Sequence, residues 1–256
     1  MLHDGLVWLH FGFVPLTTRA VVDALLDATI SAGIKYASFH HCGLSQIALP
    51  VLGRLLQSPG FEGPIINSND GVALFEGPAL PAFCEDLHNS TSLKVIVLES
   101  VNLWADVAAA TELIAALERH PALHGLWLSN NPTDGTPATQ QAAGECLARR
   151  IARSTSLHVL NLPGSALGVA GRAPIFQALR NNSSLTTLGF RTLAGQGEER
   201  ISTIFLRDVV LPAVRANTRL RRLEGLHSVD EEEGNPVLRE VEDILEARRQ
   251  ADKNTV

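Results

Sequence analysis

The stretches LHGLWLSNN at 123–131 and LHVLNLPGS at 157–165 share one spacing. Leu123, Leu126, Leu128 and Asn131 hold the fixed places of the first; Leu157, Leu160, Leu162 and Ser165 hold those of the second. Leucine alternating with other residues is the signature of a strand buried on one face, because successive side chains of an extended chain point to opposite sides. Working outward, Leu93-Ile96-Leu98, Leu185-Leu188-Phe190 and Leu220-Leu223 keep the pattern. Upstream, Leu6-Leu9-Phe11, Ile34-Ala37-Phe39-Cys42 and Phe61-Pro64-Ile66-Asn69 keep it with more substitution. The copies start at 6, 34, 61, 93, 123, 157, 185 and 220, so the steps between them are 28, 27, 32, 30, 34, 28 and 35 residues.

A fixed period of that length marks one supersecondary unit that buries its apolar face only by stacking on its neighbours. Segments of helical periodicity fill the gaps: ADVAAATELIAALERH (105–120), GECLARRIARS (144–154) and RAPIFQALRNN (172–182). Polar clusters HNSTS, ARSTS, RNNSS and RANTR precede the next strand, with side chains suited to the loose backbone groups of helix ends. Each unit therefore reads strand, loop, helix, turn, and stacked units make a parallel sheet backed by helices.

On ALRNNSSLTTLGF (178–190) and AVRANTRLRRLEG (213–225), the chain resembles the leucine-rich repeat family, in its ribonuclease-inhibitor-like class with a full helix per repeat. The resemblance covers roughly residues 5–228. It implies an α/β solenoid of about eight repeats, a curved horseshoe with the parallel β-sheet on the concave face and helices on the convex face. The first three repeats depart from the pattern, since Ala37 and Pro64 stand where a central leucine is expected. The family includes inhibitors, GTPase activators, actin-capping proteins, immune-receptor sensors and bacterial effectors, so the resemblance speaks for the fold far more than for a function.

The expected organisation is a repeat domain over 1–228, then an acidic linker and C-terminal capping helix over 229–256. GNPVLREVEDILEARRQ (234–250) sets Val237, Leu238, Val241, Ile244 and Leu245 on one stripe, with Asn235 as N-cap and Pro236 in the first turn. Insertions at 130–144 and 191–203 account for the two longest steps and read as rim loops. The 256 residues are 45% hydrophobic but only 5% aromatic, which demands an aliphatic core. No run reaches the roughly 18–20 apolar residues of a membrane helix. Leu6–Leu16 has neither the basic start nor the cleavage site of a signal peptide. Cys42, Cys84 and Cys146 are odd in number and widely spaced, which points to a reducing compartment. The expectation is a cytoplasmic protein, or one secreted by a non-classical route if it is an effector.

The net charge of −6 hides a polarity. Residues 1–130 hold 12 acids against 5 bases, residues 131–229 hold 6 against 12, and residues 230–256 hold 9 against 4. The basic stretch is all arginine, since lysine occurs only at 35, 94 and 253. Arg149, Arg150, Arg153, Arg180 and Arg215 fall in helical segments and are expected on the convex or lateral surface. They are not interleaved with aromatics and the total charge is negative, which argues against nucleic acid. An acidic protein, or the acidic end of a second copy paired head to tail, fits this polarity at least as well.

Strand alternation leaves Trp8, His10, Tyr36, His40, Trp127, Ser129, Asn161, Arg191 and Arg222 on the concave face as the candidate protein-binding set. Tyr, Trp and Arg are the types that dominate binding hot spots. His40, His41, Cys42 and His10 raise the idea of a metal, but alternation turns Cys42 inward, and convergent ligands are not evident. No phosphate loop, H-E-x-x-H, G-x-S-x-G or paired C-x-x-C occurs. The reading is a non-enzymatic protein-interaction module with no cofactor and no metal, binding a protein through the concave sheet and rim loops. The alternatives are a regulator of a small GTPase, a bacterial effector or host-interaction protein, and an actin-capping-like protein.

Overall fold

The computed structural model describes residues 7–67, 74–118, 120–190, 200–228 and 235–254. The leucine spacing yields strands β1 (Trp8–Gly12), β2 (Tyr36–His40), β3 (Gly63–Asn67), β4 (Val95–Glu99), β5 (Gly125–Trp127), β6 (Val159–Asn161) and β7 (Thr187–Gly189). After them come β8 (Arg200–Ile201), β9 (Arg222–Glu224) and β10 (His227–Ser228). Strands β1 to β7 and then β9 form one parallel sheet in sequence order, while β8 and β10 pair separately. The helices are α1 (Arg19–Ser31), α2 (Leu49–Leu56), α3 (Leu80–Asn89), α4 (Val107–Ala116), α5 (Pro137–Arg153) and α6 (Gly168–Leu179). A short α7 (Thr203–Phe205) runs through a π-turn into α8 (Leu211–Ala216), and α9 (Pro236–Lys253) ends the described chain. This order, in which consecutive strands are spatial neighbours and helices intervene, is that of a leucine-rich-repeat-type fold.

The register aligns the repeats, including the three that depart from the leucine pattern. Leu9 sits opposite Ala37 and Ala37 opposite Pro64, while Phe11, Phe39 and Ile66 form the next inward row. That row continues through Leu98, and Leu128, Leu162 and Phe190 occupy the same repeat position; all are buried. Phe11 and Phe39 stack with ring centroids 5.3 Å apart. Cys42 is fully buried and donates its Sγ–H to Phe11 O and His40 O at 3.3 and 3.4 Å, as its inward place requires. At the corresponding place Asn131 accepts from Val101 and Leu103 N–H and donates to Leu98 and Ser129 O, all within 3.2 Å. One side chain thus satisfies a buried loop whose backbone groups would otherwise each cost about 1–3 kcal/mol.

The turn before each strand carries a second buried ladder. Ser58, Ser90, His120, Ser154, Asn182 and Asn217 lie three residues ahead of successive repeat starts, and all are buried. Ser90 Oγ–H donates to Leu56 O at 2.8 Å. Asn182 Nδ2 donates to Ile151 O and Ser154 O, while its Oδ1 accepts from Ser184 and Leu185 N–H. Asn217 repeats this one unit later, donating to Leu179 O and Asn182 O. The polar clusters noted in the sequence are therefore clasps between repeats as well as helix ends.

In five of the repeats the chain turns out of the strand through a left-handed residue seven places after the repeat start. Phe13, His41, Ser100, Asn130 and Gly164 have φ of 57, 51, 52, 52 and 66°. Only one of them is glycine, so backbone geometry is imposed here by stacking and not by local preference.

Two sequence expectations fail. The segment 130–144 is not a loop throughout: Thr136 caps Thr139 N–H, Pro137 occupies the first turn, and α5 runs from there. A proline among turn residues suggests irregular chain, but directly after a threonine N-cap it starts a helix. The added turns let α5 meet α6 backbone to backbone, since a Cβ on Gly144 would overlap Gly171 O. The second failure is Arg150, which is buried at 0% exposure rather than on the surface. Its Nη1 donates to Glu118 O at 2.8 Å, and burial pulls its pKa down to about 10. Arg172 is likewise buried, its guanidinium 5.1 Å from the Phe190 ring centre.

At the far end, Asn235 caps α9 by accepting from Val237 N–H at 2.9 Å, with Pro236 in the first turn. Val241 and Leu245 are buried against the last unit. Arg248 donates to Leu220 O and Val214 O, and Arg249 to Arg221 O. Arg221–Asp252 and Arg215–Glu240 join basic repeat to acidic helix, so part of the charge polarity is neutralised within the chain.

Candidate functional site

The face of the sheet opposite the helices gathers most of the candidate residues in rows fixed by register. The first row begins Trp8, Tyr36, Gly63; its later places are Gly125, Val159, Thr187 and Arg222. The second begins His10, Ser38, Ile65, Val97 and continues through Trp127, Asn161, Gly189 and Glu224. The third contains His40, Asn67 and Glu99, with Ser129 at its far end. Arg191 lies outside the described residues.

Within the rows the side chains group at the N-terminal end and around the middle. Trp8 stays 51% exposed and leans on Tyr36, with rings 5.5 Å apart. His10 Nδ1 and Ser38 Oγ are 3.2 Å apart, which buries the serine although it points outward. His40 packs edge-on against His41 at 4.4 Å, and Phe13 stacks on His41 at 4.9 Å. His10 and His40 rings are 6.3 Å apart, while Cys42 lies on the opposite side of the sheet. No group of three or more His, Cys, Asp or Glu suited to a metal ion occurs among the described residues.

In the middle, Trp127 does not stand out from the sheet. Its ring folds over Gly125 of the same strand, where a Cβ would overlap Cζ3. The next strand repeats the device: the Asn161 carboxamide lies over Gly189 and fills the place a Cβ would take. Glycines in the outward rows thus let large neighbours lie over the backbone. Arg222 is exposed at the last full strand, beside an exposed Glu224.

Two constellations were missed from sequence. Tyr36 O–H donates to Glu62 Oε2, and Lys94 Nζ and Lys35 Nζ stand 3.1 and 3.5 Å from Glu62 Oε1. The hydrogen bond to Glu62, burial and the Glu62 charge hold the Tyr36 phenol above its usual range, and the bonds from Tyr36 and Lys94 hold Glu62 below the carboxylate range. The signal was present: in a chain with so few lysines, Lys35 and Lys94 each follow a repeat start by one residue, as Glu62 does between them. The second constellation joins Glu99 to Asn67 Nδ2 at 2.8 Å and to Asn130 Nδ2 at 3.2 Å, rigidifying the strand-end rim. Nothing in the spacing marked it, because Asn130 reaches back through a left-handed turn.

The cysteines offer no nucleophile here. Burial pushes the Cys84 thiol up to about 12, with the Glu112 charge adding to it, and raises Cys42 and Cys146 as well. A thiol held so high stays protonated and unreactive at neutral pH. Among the described residues no helix is long and apolar enough to cross a membrane.

No family model matches the chain, and no curated protein matches it. Among solved structures the chain is similar to leiomodin-1 actin-binding site 2, at 16% identity and a TM-score of 0.38, covering 81% of this chain and 92% of that one.

Proposed function

We propose that the chain is a leucine-rich-repeat protein of the ribonuclease-inhibitor-like class, a curved horseshoe over 1–228 closed by a cap within 229–256. It works without catalysis, in the cytoplasm, by holding a protein partner on its open sheet face and the adjoining strand-end rim. One observation carries the reading: Trp127, Trp8 and Tyr36 stay partly exposed on a face that no described helix covers, whereas Trp104 is buried in the core. Aromatic surface left facing water is costly unless something covers it. Flat, preorganised rings supply contact area with little entropy to lose.

The test is affinity capture with the full chain, followed by quantitative binding of the captured protein. Changing Trp127 and Tyr36 together to Ala should weaken that complex by roughly a hundredfold, about 2–3 kcal/mol, the scale of hot-spot aromatics. Arg180→Ala, on the helix side, should leave it intact. A double variant that binds undiminished overturns the sheet-face reading.

A further inference from the structure

Each repeat offers its successor main-chain acceptors at fixed places. The carbonyl one residue after the repeat start takes two backbone bonds from the next unit. Lys35 O accepts from Glu62 and Gly63 N–H, Lys94 O from His124 and Gly125 N–H, and Thr186 O from Arg221 and Arg222 N–H. In the later units the carbonyl six residues before the start takes a side-chain amide. Ile151 O accepts from Asn182 Nδ2 at 2.7 Å, and Leu179 O accepts from Asn217 Nδ2 at 2.8 Å. The carbonyl of the start residue can take a hydroxyl as well: Phe61 O accepts from Ser92 Oγ at 2.7 Å and Leu123 O from Ser156 Oγ at 3.0 Å.

The unit that starts at Leu220 presents the same three acceptors, Arg221 O, Val214 O and Leu220 O. Its strand β9 pairs with β7 at the end of the eight-stranded sheet, so no further strand of that sheet supplies donors. Helix α9 supplies them with two side chains. Arg249 Nη1 donates to Arg221 O at 2.6 Å, while Arg248 Nη2 and Nη1 donate to Val214 O at 2.8 Å and Leu220 O at 3.2 Å. Two guanidinium groups thus stand where another repeat would place main-chain N–H, amide and hydroxyl groups. The rigid fork of arginine reaches two carbonyls at once, which the single ammonium of lysine does less well.

The rest of the contact is slight. Val241 and Leu245 are the buried side chains of α9, four residues apart on the face that also carries Arg248. The ion pairs Arg221–Asp252 and Arg215–Glu240 join partly exposed groups, so salt weakens them. We infer that the three carbonyls form a binding site for a helix that bears two successive arginines one turn after an apolar pair, and that α9 is its resident, displaceable ligand. The spacing Val241, Leu245, Arg248, Arg249 defines the class of helix that competes for it. Access to the site is governed by release of α9. The site lies at the end of the stack, apart from the open sheet face, so either reading can fail alone.

A labelled peptide of residues 235–254 tests the site in trans by fluorescence anisotropy. The full chain carrying Leu245→Glu, Arg248→Ala and Arg249→Ala has lost the contacts of its own helix and should bind the peptide saturably. The unaltered chain, whose helix competes at the high effective concentration of a tethered ligand, should bind it at least about a hundredfold more weakly. Changing both arginines of the peptide to Ala should weaken binding to the variant by roughly a hundredfold, the scale of two lost charge-assisted bonds. A folded variant that ignores the peptide overturns the proposal, as does one that binds the Ala peptide equally well. Hydrogen exchange on the unaltered chain tests the release of α9 without any substitution. Its amides should exchange at least about tenfold faster than those of α6, with a further rise when salt reaches about 1 M. Exchange of α9 and α6 at one common rate, whatever the salt, means a helix that does not leave and overturns the proposal.

Discussion

The first two repeats and the last two stitch neighbouring units together by different physics. At the N-terminal end, ring lies on ring: Phe11 on Phe39 inside the sheet and Trp8 on Tyr36 outside it. At the C-terminal end the bond between units is polar, with Asn182 and Asn217 each reaching back to carbonyls of the preceding turn. Apolar stacking scales with area and tolerates small shifts. A buried amide network is directional, and once one member is lost the remaining groups are stranded without water. One backbone repeat therefore accepts either adhesive, and the two halves should fail differently.

The largest effect expected from this contrast is at Phe39. Phe39→Ala should cost about 3–5 kcal/mol in denaturant unfolding, because it empties a fully buried site and strips Phe11 of its partner. Asn182→Ala comes next, at roughly 2–3 kcal/mol, since it orphans Ile151 O, Ser154 O and the N–H groups of Ser184 and Leu185. Asn182→Asp sharpens the comparison, because it keeps the acceptor but loses the donor. If Asn182→Ala proves as mild as an exposed change, the polar clasp is not what holds the C-terminal units.

The smallest effect lies at Glu62. Its folded pKa is lowered, so it stabilises the fold above the ordinary carboxylate value near ~4.3 and loses that contribution as pH falls through the folded value. Tyr36 is raised, so its contribution stands below pH ~10 and fades as pH rises through the folded value. Glu62→Gln should cost about 1 kcal/mol at pH 7 and flatten the acid limb of the stability–pH profile. An acid limb as steep as that of the unaltered chain would remove Glu62 from the account.

The degree to which sequence foretold structure follows the range of the forces involved. Leucine spacing reports burial on a strand, and it located the sheet rows even where Ala37 and Pro64 stand in for leucine. Asn235 and Pro236 act within one helical turn and were legible for the same reason. Arg150 was not, because helical periodicity says which way a side chain leaves the helix and not how close the neighbouring helix stands. The candidate site shows the same division. Alternation placed Trp8, Tyr36 and Trp127 on the open face, but that Trp127 lies down upon Gly125 depends on a side-chain torsion that no spacing encodes.

The left-handed corners after the strands carry a consequence for engineering. Phe13, His41, Ser100 and Asn130 adopt a backbone shape that chirality disfavours by roughly 1–2 kcal/mol apiece, less for Asn. In an array whose units interact only with their neighbours, such local penalties sum across the molecule. The protein thus operates below the stability its own architecture permits, with the shortfall carried by these corners of one rim. A glycine-cornered descendant would be a tougher scaffold, and the side chains surrendered to make it would be those that now border the open face.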